Sequence, residues 1–191
     1  MAILKIRTVG DPILRQHART LSREELATPR IQTFIDDLVE TMHHANGAGI
    51  AAPQVGHNLA IAAIHVQDNP RYPYKPNVPL TVFVNPSITF LSKETASIYE
   101  GCLSVPGVRG RVERVMRIRV DAWDREGQQI SFEARGLTAG TYQHEFDHLQ
   151  GLLFLDRVSD PKTLTTWENY DAFYKDAFEA EACSIVERFG D

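Results

Sequence analysis

Gln143-His144-Glu145-Phe146-Asp147-His148-Leu149 is the stretch that decides the reading of this chain. It contains His-Glu-x-x-His. On an α-helix, residues i and i+4 project from one face, so His144 and His148 can aim ring nitrogens at one metal ion. Glu145 lies one residue round the turn, where it reaches a water activated by the metal rather than the metal itself. The local sequence favours the helix. Thr138 is placed to cap its start, and Leu137, Tyr142, Phe146 and Leu149 supply apolar contacts. Gly151 stands where a left-handed C-terminal cap belongs. The motif supplies two ligands, and a catalytic site wants a third.

The surrounding chain is that of an ordinary globular protein. Its 191 residues suit one domain, with 43% hydrophobic and 24% charged residues. A net charge of −5 invites neither sequence-specific nucleic acid nor an acidic membrane surface. No stretch is long and apolar enough to span a bilayer, and Met1 to Ile6 has no signal-peptide run. A bacterial cytoplasm is the expected location, ahead of an organelle stroma or matrix. Arg109, Arg111, Arg114, Arg117 and Arg119 form a basic run around Val112, Val115 and Ile118, which reads as the solvated face of a strand pair. Cys102 and Cys183 read as reduced thiols, with Cys183 structural.

In chain order, Ile3 to Ile6 reads as extended and Asp11-Pro12 as the start of a turn or short helix. Thr28-Pro29 opens a helix whose Ile31, Phe34, Ile35, Leu38, Val39 and Met42 face the core. His43 and His44 at its end point in different directions, which argues against their sharing a metal. Gly47-Ala48-Gly49-Ile50-Ala51-Ala52-Pro53-Gln54-Val55-Gly56 is rich in small residues that let a backbone approach a ligand or a strand. In isolation Gln54 reads as an amide that bonds the loop's own backbone. Leu59 to Val66 is a strand, and Asn69 to Pro79 an irregular surface loop. Thr81 to Val84 is a strand stopped by Asn85-Pro86, and Ile88 to Ile98 continues the same sheet. Val112 to Asp121 and Gln129 to Ala134 read as a hairpin around Arg125-Glu126-Gly127. After Leu155, Asp160-Pro161 starts a helix with a docking stripe of Trp167, Tyr170, Phe173, Tyr174, Ala177 and Phe178.

Cys102 follows Gly101 at a strand end and is the best candidate for the third ligand. Two imidazoles, one thiolate and an open position make a catalytic rather than a structural site. A zinc endopeptidase of the zincin kind is a rival. It would take a downstream carboxylate, with Glu168 and Glu179 available, but neither stands in the His-x-x-Gly-x-x-His extension. A second rival, a binding protein of the same fold without activity, should lack Glu145, Gln54 or a ligand. This chain has all of them.

Three stretches together, Gly47 to Gln54, Glu100-Gly101-Cys102-Leu103-Ser104 and Gln143 to Leu149, resemble the peptide deformylases and stand in that family's order. The resemblance runs from about Ile3 to about Val158. It implies an α+β fold in one domain, with antiparallel strands packed around a central helix bearing the motif and a C-terminal helix. Residues 1–158 would form the catalytic part and residues 159–191 a helical extension of the same domain. It also implies hydrolysis of the formyl group from the formylmethionine of nascent polypeptides, at the ribosome exit, with release of formate. In that picture Cys102, His144 and His148 hold the metal, and Glu145 serves as general base and then acid. The Gln54 amide and the Leu103 N–H meet the formyl oxygen. The peptide lies along Gly47, Ala48, Gly49, Glu100 and Gly101, and its methionine enters a pocket of Ile98, Leu137, Gly140, Thr141 and His144. Gly140 and Thr141 are smaller or more polar than many members carry. The resemblance favours Fe2+, with Zn2+ or Ni2+ able to replace it in purified protein. Glu100 and Asp147 are candidates to support the ligands from behind, and Asp147 is expected to pair with Arg114.

Overall fold

The structure is a computed structural model that describes residues 2–69 and 71–190. Ile3 to Ile6 joins no sheet, although the Leu4 N–H bonds Thr41 Oγ1 at 2.9 Å. Asp11 caps a 3-10 turn at Pro12–Arg15. Ser22 and Glu25 form a capping box on the short α1 (Arg23–Leu26). Thr28 caps α2 (Pro29–His44), with Pro29 in its first turn. Ile31, Phe34, Ile35, Leu38 and Met42 form its buried face; Val39 is only partly buried.

Five strands make the first sheet, in the order β1-β2-β3-β6-β7, all neighbours antiparallel. They are β1 (Gly49–Ala51), β2 (Ile61–Val66), β3 (Val78–Phe90), β6 (Arg117–Trp123) and β7 (Gln129–Arg135). The second sheet joins β4 (Thr95–Cys102), β5 (Val105–Val115) and β8 (Thr165–Thr166). The motif helix is α3 (Gly136–Leu149). The first sheet separates two cores by strand alternation. Ile61, Ala63, Val82 and Val84 face α2. Ala62, Ile64, Phe83, Ile118 and Val120 face α3, where the Phe83 ring lies 5.4 Å from that of Tyr142 and 5.5 Å from that of Phe146. The fold is therefore α+β, with antiparallel strands around the helix that bears the motif.

Several elements differ from the sequence expectation, each for a local reason. The strand at Thr81 to Val84 is not stopped by Asn85-Pro86. Asn85 takes a left-handed φ of 51° and the register shifts between Val84 and Ser87, so β3 continues past a bulge, one of the few places a sheet accepts proline. The Asn85 side chain ties that bulge to Leu21 through both its amide atoms, at 2.9 and 2.8 Å. Ile88 to Ile98 is two strands, and β4 leaves the first sheet to pair with β5. Met116 breaks the expected strand from Val112 to Asp121, sending its halves to different sheets; the hairpin is β6–β7. Helix α3 begins at Gly136, so Thr138 lies inside it rather than capping it. The positive φ of Gly136, 51°, lets strand β7 turn straight into the helix. At the far end Gly151 (φ 74°) does cap, its N–H on His148 O and that of Leu152 on Asp147 O.

Beyond Leu155, Asp160-Pro161 opens only a 3-10 turn, Pro161–Thr163. Two helices follow, α4 (Trp167–Phe173) and α5 (Lys175–Phe189). The break at Tyr174 splits the expected stripe. Tyr170 and Phe178 are buried against Ile98, Tyr99 and Leu137, whereas Phe173 is 74% exposed, and Tyr174 and Ala177 are also exposed. Cys183 is exposed on α5 and unpaired, so it holds nothing together. The arginine run is a solvated face only in part: Arg117 and Arg119 are exposed, but Arg109 is fully buried and Arg114 is 3% exposed. The Arg109 guanidinium stacks 3.9 Å from the Tyr170 ring centroid and 4.5 Å from that of Trp167.

Candidate metal centre and active site

Helix α3 presents His144 and His148 one turn apart, and the end of β4 brings Cys102 against them. One ligand atom from each lies within 4.8 Å of the others. Cys102 Sγ is 3.3 Å from His148 Nε2. Burial pushes the Cys102 thiol up, but the imidazoles of His148 and His144 beside it outweigh that and hold it well below the usual thiol range. A buried thiolate with two imidazoles is a donor set that fits a divalent transition metal. His144 turns Nδ1 to Glu100 Oε2 at 2.7 Å, leaving its other nitrogen for a metal. His148 Nδ1 is buried and has no partner among the described residues.

Behind the ligands stands a charged relay. Arg114 forks onto Glu100, Nε on Oε1 at 2.7 Å and Nη2 on Oε2 at 3.0 Å. Its Nη1 bonds Asp147 Oδ2 at 2.7 Å, the expected Asp147–Arg114 pair. Arg157, which sequence reading missed, grips Asp147 from the outside at 2.8 Å. Burial disfavours the charged Glu100, but Arg114 and His144 overcome it and hold the carboxyl far below its ordinary range. Arg114→Met removes the guanidinium that neutralises both carboxylates, leaving buried Glu100 with His144 and Asp147 with Arg157 as their remaining side-chain partners. The expected cost is about 3–5 kcal/mol, read as a fall in Tm of roughly 10 °C. An unchanged Tm would show that the relay contributes nothing to stability.

Glu145 is buried beside the ligands, and its Oε2 has no hydrogen-bond partner among the described residues. Burial pushes its carboxyl up, against the opposing pull of His144 and His148. Gly49 makes room for it: a Cβ there would sit 2.5 Å from the carboxyl carbon. Gln54 does bond its own loop, accepting from Ala51 N at 2.8 Å, and so has a fixed orientation. That leaves Nε2 pointing inward, 3.1 Å from Ser104 Oγ and 3.5 Å from Cys102 Sγ. Gly47, Ala48, Gly49, Glu100, Gly101 and Leu103 line the same cavity. So do Ile98, Leu137, Gly140 and Thr141. Gly140 has a reason: a Cβ there would lie 2.7 Å from Ile98 Cδ1.

Of the segment read as a surface loop, Asn69 to Pro79, Val78 and Pro79 already belong to β3, and residues 71–75 bend back over this cavity. Arg71, Tyr72, Tyr74 and Lys75 line it, with Tyr99 and with Phe178 from α5. Tyr72 is buried, and Lys75 donates to Thr141 Oγ1 at 3.0 Å. Burial pulls the Lys75 ammonium down to about 8, although Glu100 and Glu145 favour its charge. The prolines and tyrosines of this segment carry no periodicity, so nothing in the sequence signalled that it folds inward.

Residues 3–164 match the family model described as Polypeptide deformylase. "Peptide deformylase 1" of Bordetella pertussis is 46% identical over 159 residues, 83% of this chain and 88% of that relative. The peptide deformylase of Leptospira biflexa is 42% identical over 172 residues, 90% and 96% of the two chains. Among solved structures, the class I type b peptide deformylase of Acinetobacter baumannii, described as Met-Ala-Ser bound, has a TM-score of 0.79 at 38% identity. The match covers 82% of this chain and 99% of that one. The peptide deformylase of Synechococcus elongatus, in complex with actinonin, has a TM-score of 0.74 at 35% identity, covering 95% and 90%. The family match spans strands β1 to β7 and the motif helix, and the chain belongs to the peptide deformylase family of enzymes.

Proposed function

We propose that this enzyme hydrolyses the formyl group from the N-terminal formylmethionine of newly made polypeptides, releasing formate and a free amine. The observation that carries the reading is the convergence of Cys102, His144 and His148 on one point, with the unpartnered Glu145 carboxylate beside it. Cys102, His144 and His148 would hold a divalent metal, iron(II) in the first instance, with zinc or nickel able to replace it. When bound, such an ion supplies a Lewis acid that makes water a nucleophile near neutral pH.

The chain's own groups do the rest. Glu145 accepts the proton of the attacking water and returns it to the leaving amine nitrogen. The Gln54 amide and the Leu103 N–H donate to the oxygen on which negative charge develops. The peptide lies extended between two sheet edges. β1 ends the first sheet and β4 ends the second, so the Gly47 to Gly49 and Glu100 to Gly101 backbones can pair with an added strand. Its first side chain enters between Ile98, Leu137, Gly140, Thr141 and His144. Residues 1–158 carry this chemistry, and residues 159–191 extend the same domain, with Phe178 walling the cavity. Nascent chains leaving the ribosome are the partners this reaction requires, and the bacterial relatives favour a bacterial cytoplasm over an organelle stroma or matrix. No helix among the described residues is long and apolar enough to cross a membrane.

Mass spectrometry of formyl-Met-Ala-Ser and acetyl-Met-Ala-Ser after incubation with metal-loaded enzyme tests the reading. Loss of the formyl group alone supports it; loss of neither, with metal bound, contradicts it. Gln54→Ala is expected to lower kcat about 100-fold with KM little changed, as removal of one oxyanion donor does elsewhere. A change in KM alone would place Gln54 in ground-state binding instead.

A further inference from the structure

Thr141 stands three residues before His144 on α3, so its side chain shares the cavity face of the helix. Its hydroxyl is 4% exposed as a residue and accepts the Lys75 ammonium at 3.0 Å. The same ammonium lies 4.7 Å from the Tyr72 ring centroid. An ammonium has three donors. Among the described residues, Thr141 Oγ1 takes the one hydrogen bond that Lys75 makes with its side chain. The Thr141 hydroxyl donates its hydrogen bond to Leu137 O at 3.2 Å, so it is held as an acceptor toward Lys75.

Lys75 lines the cavity together with Ile98, Leu137, Gly140 and Thr141, so in the proposed pose a first side chain entering between those residues runs toward this cation. The whole cavity, its metal-ligand side included, has about 40 Å³ of free space, room for roughly three waters. Ile98 and Leu137 offer apolar walls to the stem of an entering side chain, but its tip meets Lys75. A thioether sulfur is a weak acceptor and would displace water from the ammonium without replacing its hydrogen bonds. An oxygen acceptor at the tip replaces them.

Resting on the deformylase reading, we propose that Lys75 is a specificity-determining residue. It favours formylated peptides whose first side chain has methionine's length and ends in a hydrogen-bond-accepting oxygen, as in methionine sulfoxide or glutamine. Sites built around a buried donor discriminate strongly against analogues that leave it unpaired.

The test measures formate release by nickel-loaded wild type, Lys75→Met and Lys75→Ala. The substrates are formyl-Met-Ala-Ser and analogues with norleucine, methionine sulfoxide or glutamine first. The ratio of kcat/KM for the oxygen-bearing peptides to that for norleucine is expected to fall about tenfold or more in both variants. The thermal unfolding midpoint of each variant reports that it folds, and norleucine serves only as the denominator of the ratio. A fall for sulfoxide and glutamine alike identifies any oxygen acceptor; a fall for sulfoxide alone identifies oxidised methionine. Ratios within about twofold of wild type for both substrates, in both variants, overturn the proposal. Absence of formate from wild type with formyl-Met-Ala-Ser overturns instead the deformylase reading on which it rests.

Discussion

Glu145→Gln is expected to lower kcat for formyl-Met-Ala-Ser by between about 100- and 10,000-fold while the metal stays bound. The reason is positional. Glu145 is buried next to the ligand cluster, one of its oxygens has no partner among the described residues, and Gly49 leaves it just enough room. Glutamine has the same shape and still fits beside Gly49, so the loss reports the missing proton acceptor rather than a packing change. The check is steady-state formate release alongside elemental analysis of the same preparation. Activity within about tenfold of wild type would place the general base on another residue.

Cys102→Ala is expected to remove the metal and, with it, the activity. His144 and His148 alone offer two neutral nitrogens, and the loss of a thiolate takes away the anionic ligand that such a site depends on. The substitution is small and buried, and the sulfur contacts it deletes, with His148 Nε2 at 3.3 Å, Ser104 N at 3.4 Å and Gln54 Nε2 at 3.5 Å, are each weak. The fold should therefore survive. Metal content per protein, measured after gel filtration, is the readout. Retention of one equivalent would favour a zincin-like site with a carboxylate ligand. Neither Glu168 nor Glu179 belongs to the metal-capable group among the described residues.

The parts of the site that were legible in the sequence depend on short-range geometry. His144, Glu145 and His148 lie within one turn of one helix, so spacing alone puts them together. Cys102 and Gln54 come from other elements; residue type and the neighbouring Gly101 pointed to Cys102, and only the family resemblance gave Gln54 a role in the chemistry. The Asp147–Arg114 pair followed from the rule that ligand histidines are backed by charged groups, but the solvated-face reading of the same arginine run holds for Arg117 and Arg119 and fails for Arg109 and Arg114. Arg109 and Arg114 alternate with apolar residues as a solvated strand would, and nothing local reveals that α3, α4 and the Tyr72 loop cover them. Pattern reading also failed where tertiary bonds overrule local signals. Asn85-Pro86 reads as a stop, yet the Asn85 amide anchors a bulge to Leu21 and β3 continues. Thr138 reads as a cap, yet Gly136 turns β7 directly into α3. Lys75 is the clearest case. A lysine in a proline-rich segment carries no sign of being folded onto Thr141.

The most direct measurement of the central claim is formate production from formyl-Met-Ala-Ser by enzyme purified without oxygen and loaded with iron(II). The account predicts stoichiometric formate and free Met-Ala-Ser, at a rate that disappears when the metal is chelated. A protein that binds one metal ion at Cys102, His144 and His148 and releases no formate would contradict it.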